Sequence, residues 1–168
     1  MTSAALAAEG AGDARFTLDF RAADGTWKQG PLMSCLGVRF EDVPPVRPFR
    51  FGKGLRSFAG WWYFATTDSH VGFESWLERD HLMLMDFDPE VAAVASQPFW
   101  LHWRDGAGRS RRHAPDLFAR MADGSGLVID VRPDDRIEDK DAEAFAAARP
   151  RAAWPGGASG AQGSLIRC

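Results

Sequence analysis

The stretch that decides the reading is RRHAPDLFARMADGSGLVIDVRPDD, Arg111 to Asp135. A Pro-Asp pair, Pro115-Asp116, opens one apolar run, and ADGSG makes a turn. A second apolar run then carries Asp130, one residue, and Arg132. Asp-Gly between two apolar runs is a strong hairpin signal. Strand side chains repeat every two residues, so Asp130 and Arg132 share a face. Two acids on neighbouring strands fit a site for a hard cation, which takes oxygen ligands. They also fit a hairpin whose polar residues solvate its ends.

The surrounding chain has 168 residues, about one domain, and is long enough to bury a core without staples. Seven tryptophans and twelve phenylalanines favour a strand-rich core. The 20 Lys and Arg against 23 Asp and Glu give a net charge of −3. That argues against a uniformly basic nucleic-acid binder but leaves room for local basic patches. The two cysteines, Cys35 and Cys168, form no C-x-x-C pair, so zinc and thiol redox chemistry gain little support. A reducing cytoplasm is the expected compartment. The N-terminus lacks the basic and apolar regions of a signal peptide. No stretch approaches the roughly 20 apolar residues of a membrane span.

Four regions are expected. Residues 1–14 are Ala, Gly and polar, and read as disordered. Residues 15–67 hold a hairpin around Ala23-Asp24-Gly25, then a Pro-rich extended arm with a short strand at Gly60–Ala65. In the arm, Arg47, Arg50, Lys53 and Arg56 interleave with Phe49, Phe51 and Phe58. Such a segment either tracks phosphates or is a solvated loop pinned by aromatics. Residues 68–148 form the core. Its clearest helix runs from Phe73 to Pro89, with an apolar stripe of Phe73, Trp76, Leu77, Leu84 and Phe87. Asp80 interrupts that stripe. Strands follow at VAAVASQP and FWLHWR, then the Asp105–Gly108 turn, the quoted hairpin, and a helix in DRIEDKDAEAFAAA. Residues 149–168, rich in Ala, Gly and Pro, read as a disordered tail.

Helix acid, strand acid, then acid-x-cation is the order used by PD-(D/E)xK nucleases, and Glu78, Asp116, Asp130 and Arg132 follow it. The segments ESWLERDHLMLMDFDPEVAAVASQPFWLHW and RRHAPDLFARMADGSGLVIDVRP together resemble TnsA-like transposon endonucleases. The shared traits are a Ser-x-Leu-Glu helix start, a Gln-Pro after the first strand, a His-x-Pro-Asp strand and an acid-x-cation strand. The likeness runs over about residues 68–146. The lead-in VRFEDVPPVRPFRFGKGLRSFAGWWYFATT has the general look of such proteins as well.

The resemblance implies an α/β restriction-endonuclease-like core, a mixed sheet flanked by helices. It implies a metal-dependent endonuclease subunit of a heteromeric transposase, which hydrolyses one strand at each transposon end. Its partners would be double-stranded DNA, an integrase-type transposase subunit and an ATPase regulator. Carried over by position, Glu78, Asp116 and Asp130 would bind Mg²⁺ or Mn²⁺, with Glu74, one helical turn earlier, as the alternative to Glu78. Arg109, Arg111 and Arg112 would either contact the DNA backbone or solvate a hairpin tip, and Lys53 and Arg56 lie in the candidate phosphate-tracking arm. His113 reads as a polar strand residue or a phosphate contact.

Two departures stand out. Arg132 replaces the family's lysine; arginine stays charged and cannot act as a base, though it can hold a phosphate or a metal-bound hydroxide. The composition also breaks after Ala147, as in a frameshifted or recombined end. An inactive assembly subunit, binding DNA or transposase without cutting, is the competing expectation, as is a truncated mobile-element relic.

Overall fold

A computed structural model describes the backbone of residues 16–35, 37–49, 58–131 and 164–167. The architecture is mixed α/β, and among the described residues every strand pairing is antiparallel and one segment is α-helical. The first sheet has the order β2-β1-β6-β7, from Trp27–Pro31, Thr17–Arg21, Trp100–Arg104 and Ser110–His113. The second has the order β10-β9-β8-β5, from Ser164–Arg167, Gly126–Asp130, Leu117–Met121 and Val91–Ser96. A separate hairpin pairs β3, Gly60–Phe64, with β4, Ser69–Phe73, and helix α1 spans Trp76–Asp86.

Alternation along β8 and β9 explains the layering, because each strand is apolar on both faces. Phe118 and Val128 join Phe16, Leu18, Phe20, Phe40, Phe99 and Leu101 in a core between the two sheets. Leu117, Ala119, Met121 and Ile129 join Val91 and Val94 on the other face, under Phe64, Val71, Phe73 and Leu82 of the hairpin and helix. The second sheet is thus the middle layer, buried on both sides, as continuous apolar strands require.

The N-terminal hairpin forms as expected, with Gly25 at φ 81° in its turn. The stretch before β3 is less an extended arm than expected. Phe40, in a short 3₁₀ turn at Phe40–Asp42, and Val46 are both buried. Arg120 ties this stretch down by donating to the Val38 carbonyl at 2.8 Å and pairing with Glu41 at 3.3 Å.

Helix α1 corrects the expected helix in two ways. It begins at Trp76, because Phe73 ends β4 and Ser75 caps the helix. It is also turned the other way. Leu82 is 0% exposed and Glu78 is buried, with Leu77 and Met85 half-buried, while Trp76, Leu84 and Phe87 of the expected stripe face solvent. Asp80 lies on that exposed side, paired with Arg79 at 2.6 Å, so its place among the apolar residues involves no burial. Asp86 locks the helix end to the β3–β4 turn. It accepts hydrogen bonds from the Ala65 and Thr66 amides at 3.1 and 3.0 Å and from the Trp62 indole at 3.2 Å.

The run expected as one strand from Arg109 to Ala122 is two. Ala114, Pro115 and Asp116 carry the chain from β7 in the first sheet to β8 in the second. The proline has no amide to donate, which suits a break between ladders. Ser164–Arg167 pairs with Leu127–Asp130, so four residues of the expected disordered tail are a strand. The rest of the tail, the expected helix after Asp135, residues 1–14, Arg50, Lys53, Arg56 and Arg132 lie outside the described residues. Among the described residues no helix is long and apolar enough to cross a membrane.

Candidate metal centre

The quoted hairpin closes as its turn chemistry predicts. Met121 donates to the Ser125 carbonyl at 2.8 Å, and Gly124 takes φ 85°. The register then follows: Leu117 faces Ile129, and on the other side Leu117 faces Ser96. One step further along, Asp116 lies between Gln97 and Asp130. The Gln97 amide donates to the Asp116 carbonyl at 2.9 Å, and the Asp116 carboxylate accepts from the Val131 amide at 2.8 Å. Asp130 in turn faces Ser164. The two acids of the Pro-Asp and Asp-x-Arg motifs are therefore neighbours at one end of the middle sheet.

Their environment is dry and anionic. The Asp116 carboxyl is pushed up from 3.8 to about 7. Burial is the largest cause, and the charges of Asp130 and Glu78 add to it, while the Val131 amide and His113 pull the other way. Asp130 is only 3% exposed. Its Oδ1 lies 2.7 Å from His113 Nε2, and its Oδ2 is buried with no hydrogen-bond partner among the described residues. Gln97, 1% exposed, also keeps an unpartnered Oε1 and sits at φ 47° in the left-handed region, where a glutamine side chain is strained.

Glu78 serves the helix as well as the cluster. The Ser75 hydroxyl accepts from the Glu78 amide at 3.2 Å and donates to Glu78 Oε1 at 2.9 Å, and the Glu74 amide donates to Oε2 at 2.7 Å. This is a variant of the reciprocal Ser-x-x-Glu cap, with the Ser75 hydroxyl and the Glu74 amide in place of the N-cap amide. Burial nevertheless raises the Glu78 carboxyl, against the pull of those hydrogen bonds. Glu74, the alternative ligand, pairs instead with Arg47 at 2.7 Å.

The cationic tip of the β6–β7 hairpin is held by its own turn. Arg109 and Arg111 both reach Asp105 at 2.9 Å. Hydrogen bonds from the Arg109 amide, the two guanidinium groups and the Ala107 amide outweigh desolvation and bring Asp105 down to about 2. Arg112 lies over the Trp100 ring, 4.7 Å from its centroid.

The carboxylates suit a hard divalent cation in one respect and fall short of a closed cage in another. Asp116 and Asp130 are close enough to repel, and a buried Asp130 oxygen is unsatisfied, an arrangement that a cation would relieve. Among the described residues no group of three or more His, Cys, Asp and Glu side chains is disposed to hold one ion. Mg²⁺ commonly keeps several waters and is bound through one or two carboxylates plus substrate phosphates, so the number of carboxylates alone does not exclude it. The residues that sequence reasoning undervalued are His113 and Gln97. Their signals were present in His-x-Pro-Asp and Gln-Pro, but their contacts cross between strands that the linear order does not pair. Comparison of the chain with family models, with curated proteins and with solved structures gives no match.

Proposed function

We propose that the protein is a metal-dependent DNA endonuclease of the PD-(D/E)xK type, acting as the TnsA-like subunit of a transposase. The observation that carries this reading is the neighbouring pair Asp116 and Asp130, with Glu78 close enough to help hold the Asp116 carboxyl near 7. The motif order along the chain points the same way. A restriction-endonuclease-like core is part of the same proposal.

Asp116 and Asp130 would hold Mg²⁺ or Mn²⁺, with Glu78 adding negative charge from the helix start. Bound there, the ion would acidify a water and stabilise charge developing on a phosphate. The Val131 amide fixes the Asp116 carboxylate. The hydrophobic layers on both faces of the second sheet keep the pair in a low-dielectric setting, which strengthens any charge interaction made there. Arg132 would steady the scissile phosphate or the nucleophile. As a permanent cation it takes no proton, so the proton must leave to solvent, to the substrate phosphate or to Glu78. The DNA backbone would be met by Arg109, Arg111 and Arg112, with Lys53 and Arg56 from the arm.

The test is cleavage of supercoiled and transposon-end DNA with Mn²⁺. Activity is expected in the wild type and absent in Asp116→Ala, and cleavage unchanged by that substitution refutes the site. The second reading, an inactive subunit that binds DNA or transposase proteins, draws on the commitment of both Glu78 oxygens to the helix cap. It predicts partner binding that survives Asp116→Ala and no metal affinity.

A further inference from the structure

We infer that His113 is a positioning residue for the Asp130 carboxylate, setting which of its oxygens is offered to a cation. This rests on the metal-centre reading above. His113 Nε2 and Asp130 Oδ1 are 2.7 Å apart. When Asp130 is ionised, as a carboxylate that ligates a cation is, its oxygen accepts and His113 Nε2 donates. The bond occupies Oδ1 and leaves Oδ2, which is buried and has no partner among the described residues.

The contact joins two layers. His113 is the last residue of β7 in the first sheet, and Asp130 the last of β9 in the second. Only Ala114 and Pro115, both buried, separate His113 from Asp116. One short crossing therefore delivers an imidazole to Asp130 and a carboxylate beside it. The His-x-Pro-Asp spacing thus links the orientation of both acids. Ligating carboxylates are ordinarily held by outer hydrogen bonds, and losing such a bond costs 10–100-fold in metal affinity.

The test is a calorimetric Mn²⁺ titration of the full chain at pH 8, comparing wild type, His113→Gln and His113→Phe. Glutamine keeps an N–H donor, and phenylalanine keeps a ring without one. His113→Ala replaces the phenylalanine variant if near-ultraviolet circular dichroism shows that the ring disrupts the fold. The expected result is about 10–100-fold weaker Mn²⁺ binding in the variant lacking the donor, with His113→Gln close to wild type. A purely structural histidine would leave affinity unchanged in every variant that folds. Equal affinity without the donor, or equal weakening in His113→Gln, overturns the inference while leaving the metal centre standing. A wild type that binds no Mn²⁺ overturns both.

Discussion

Asp116→Asn should make the metal-free protein more stable at pH 8, and the structure gives the size of the gain. The Asp116 carboxyl is raised in the fold from 3.8 to about 7. An acid raised this way is more protonated folded than unfolded between those two values. The folded state therefore holds the extra proton, and stability falls as pH climbs from about 4 to 7. At about 1.4 kcal/mol per pKa unit, the full penalty above pH 7 is about 4 kcal/mol. Asparagine removes the charge and keeps an oxygen for the Val131 amide. Its own burial offsets part of the gain, which leaves about 2–4 kcal/mol. For a chain of this length that is about 4–12 °C in Tm. The assay is thermal unfolding of both proteins in chelator at pH 5 and pH 8. His81, whose pKa burial lowers, makes its own pH-dependent contribution, as does the raised Glu78. The difference between the two proteins largely cancels the His81 contribution, which both share, and keeps that of Asp116. The variant should lead clearly at pH 8 and far less at pH 5. A variant less stable than wild type at pH 8, or a gain equal at both pH values, refutes the claim that desolvation and neighbouring like charges raise the Asp116 carboxyl.

Other consequences are equally direct. Leu82→Ala should cost about 2–5 kcal/mol, because this fully buried side chain leaves a cavity, whereas Phe87→Ser, at an 84% exposed position, should change stability by no more than about 0.5 kcal/mol; comparable losses from both would restore the opposite helix face. Ser75→Ala should cost about 1 kcal/mol through the lost cap, read by chemical denaturation, and an unchanged midpoint would mean that Ser75 does not hold the start of α1.

Much of this fold is legible in the chain because it is locally encoded. Asp-Gly turns set the β8–β9 register, and with it the adjacency of Asp116 and Asp130. Helix α1 is legible in existence but not in orientation. The large apolar residues Trp76, Leu84 and, just past the helix end, Phe87 outweigh Leu82 in any count, yet the helix buries Leu82 beside Glu78. The sequence favours the wrong face because a buried glutamate, satisfied by its own helix start, reads as polar surface. Strand β4 is hidden for a similar reason. Ser69 and His70 are exposed, and the hairpin depends on Asp86, 20 and 21 residues from the Thr66 and Ala65 amides, to satisfy its turn. The His113–Asp130 contact joins two sheets across a proline break, and no periodicity reports such a pairing.

A calorimetric titration of Mn²⁺ into the metal-free wild type and Asp116→Ala tests the proposed cation site of Asp116 and Asp130 most directly, without requiring the DNA sequence or a partner. The wild type should give a saturable heat of binding that is lost in Asp116→Ala while the variant still unfolds cooperatively. Identical titrations of the two proteins, or no binding by either, would contradict it.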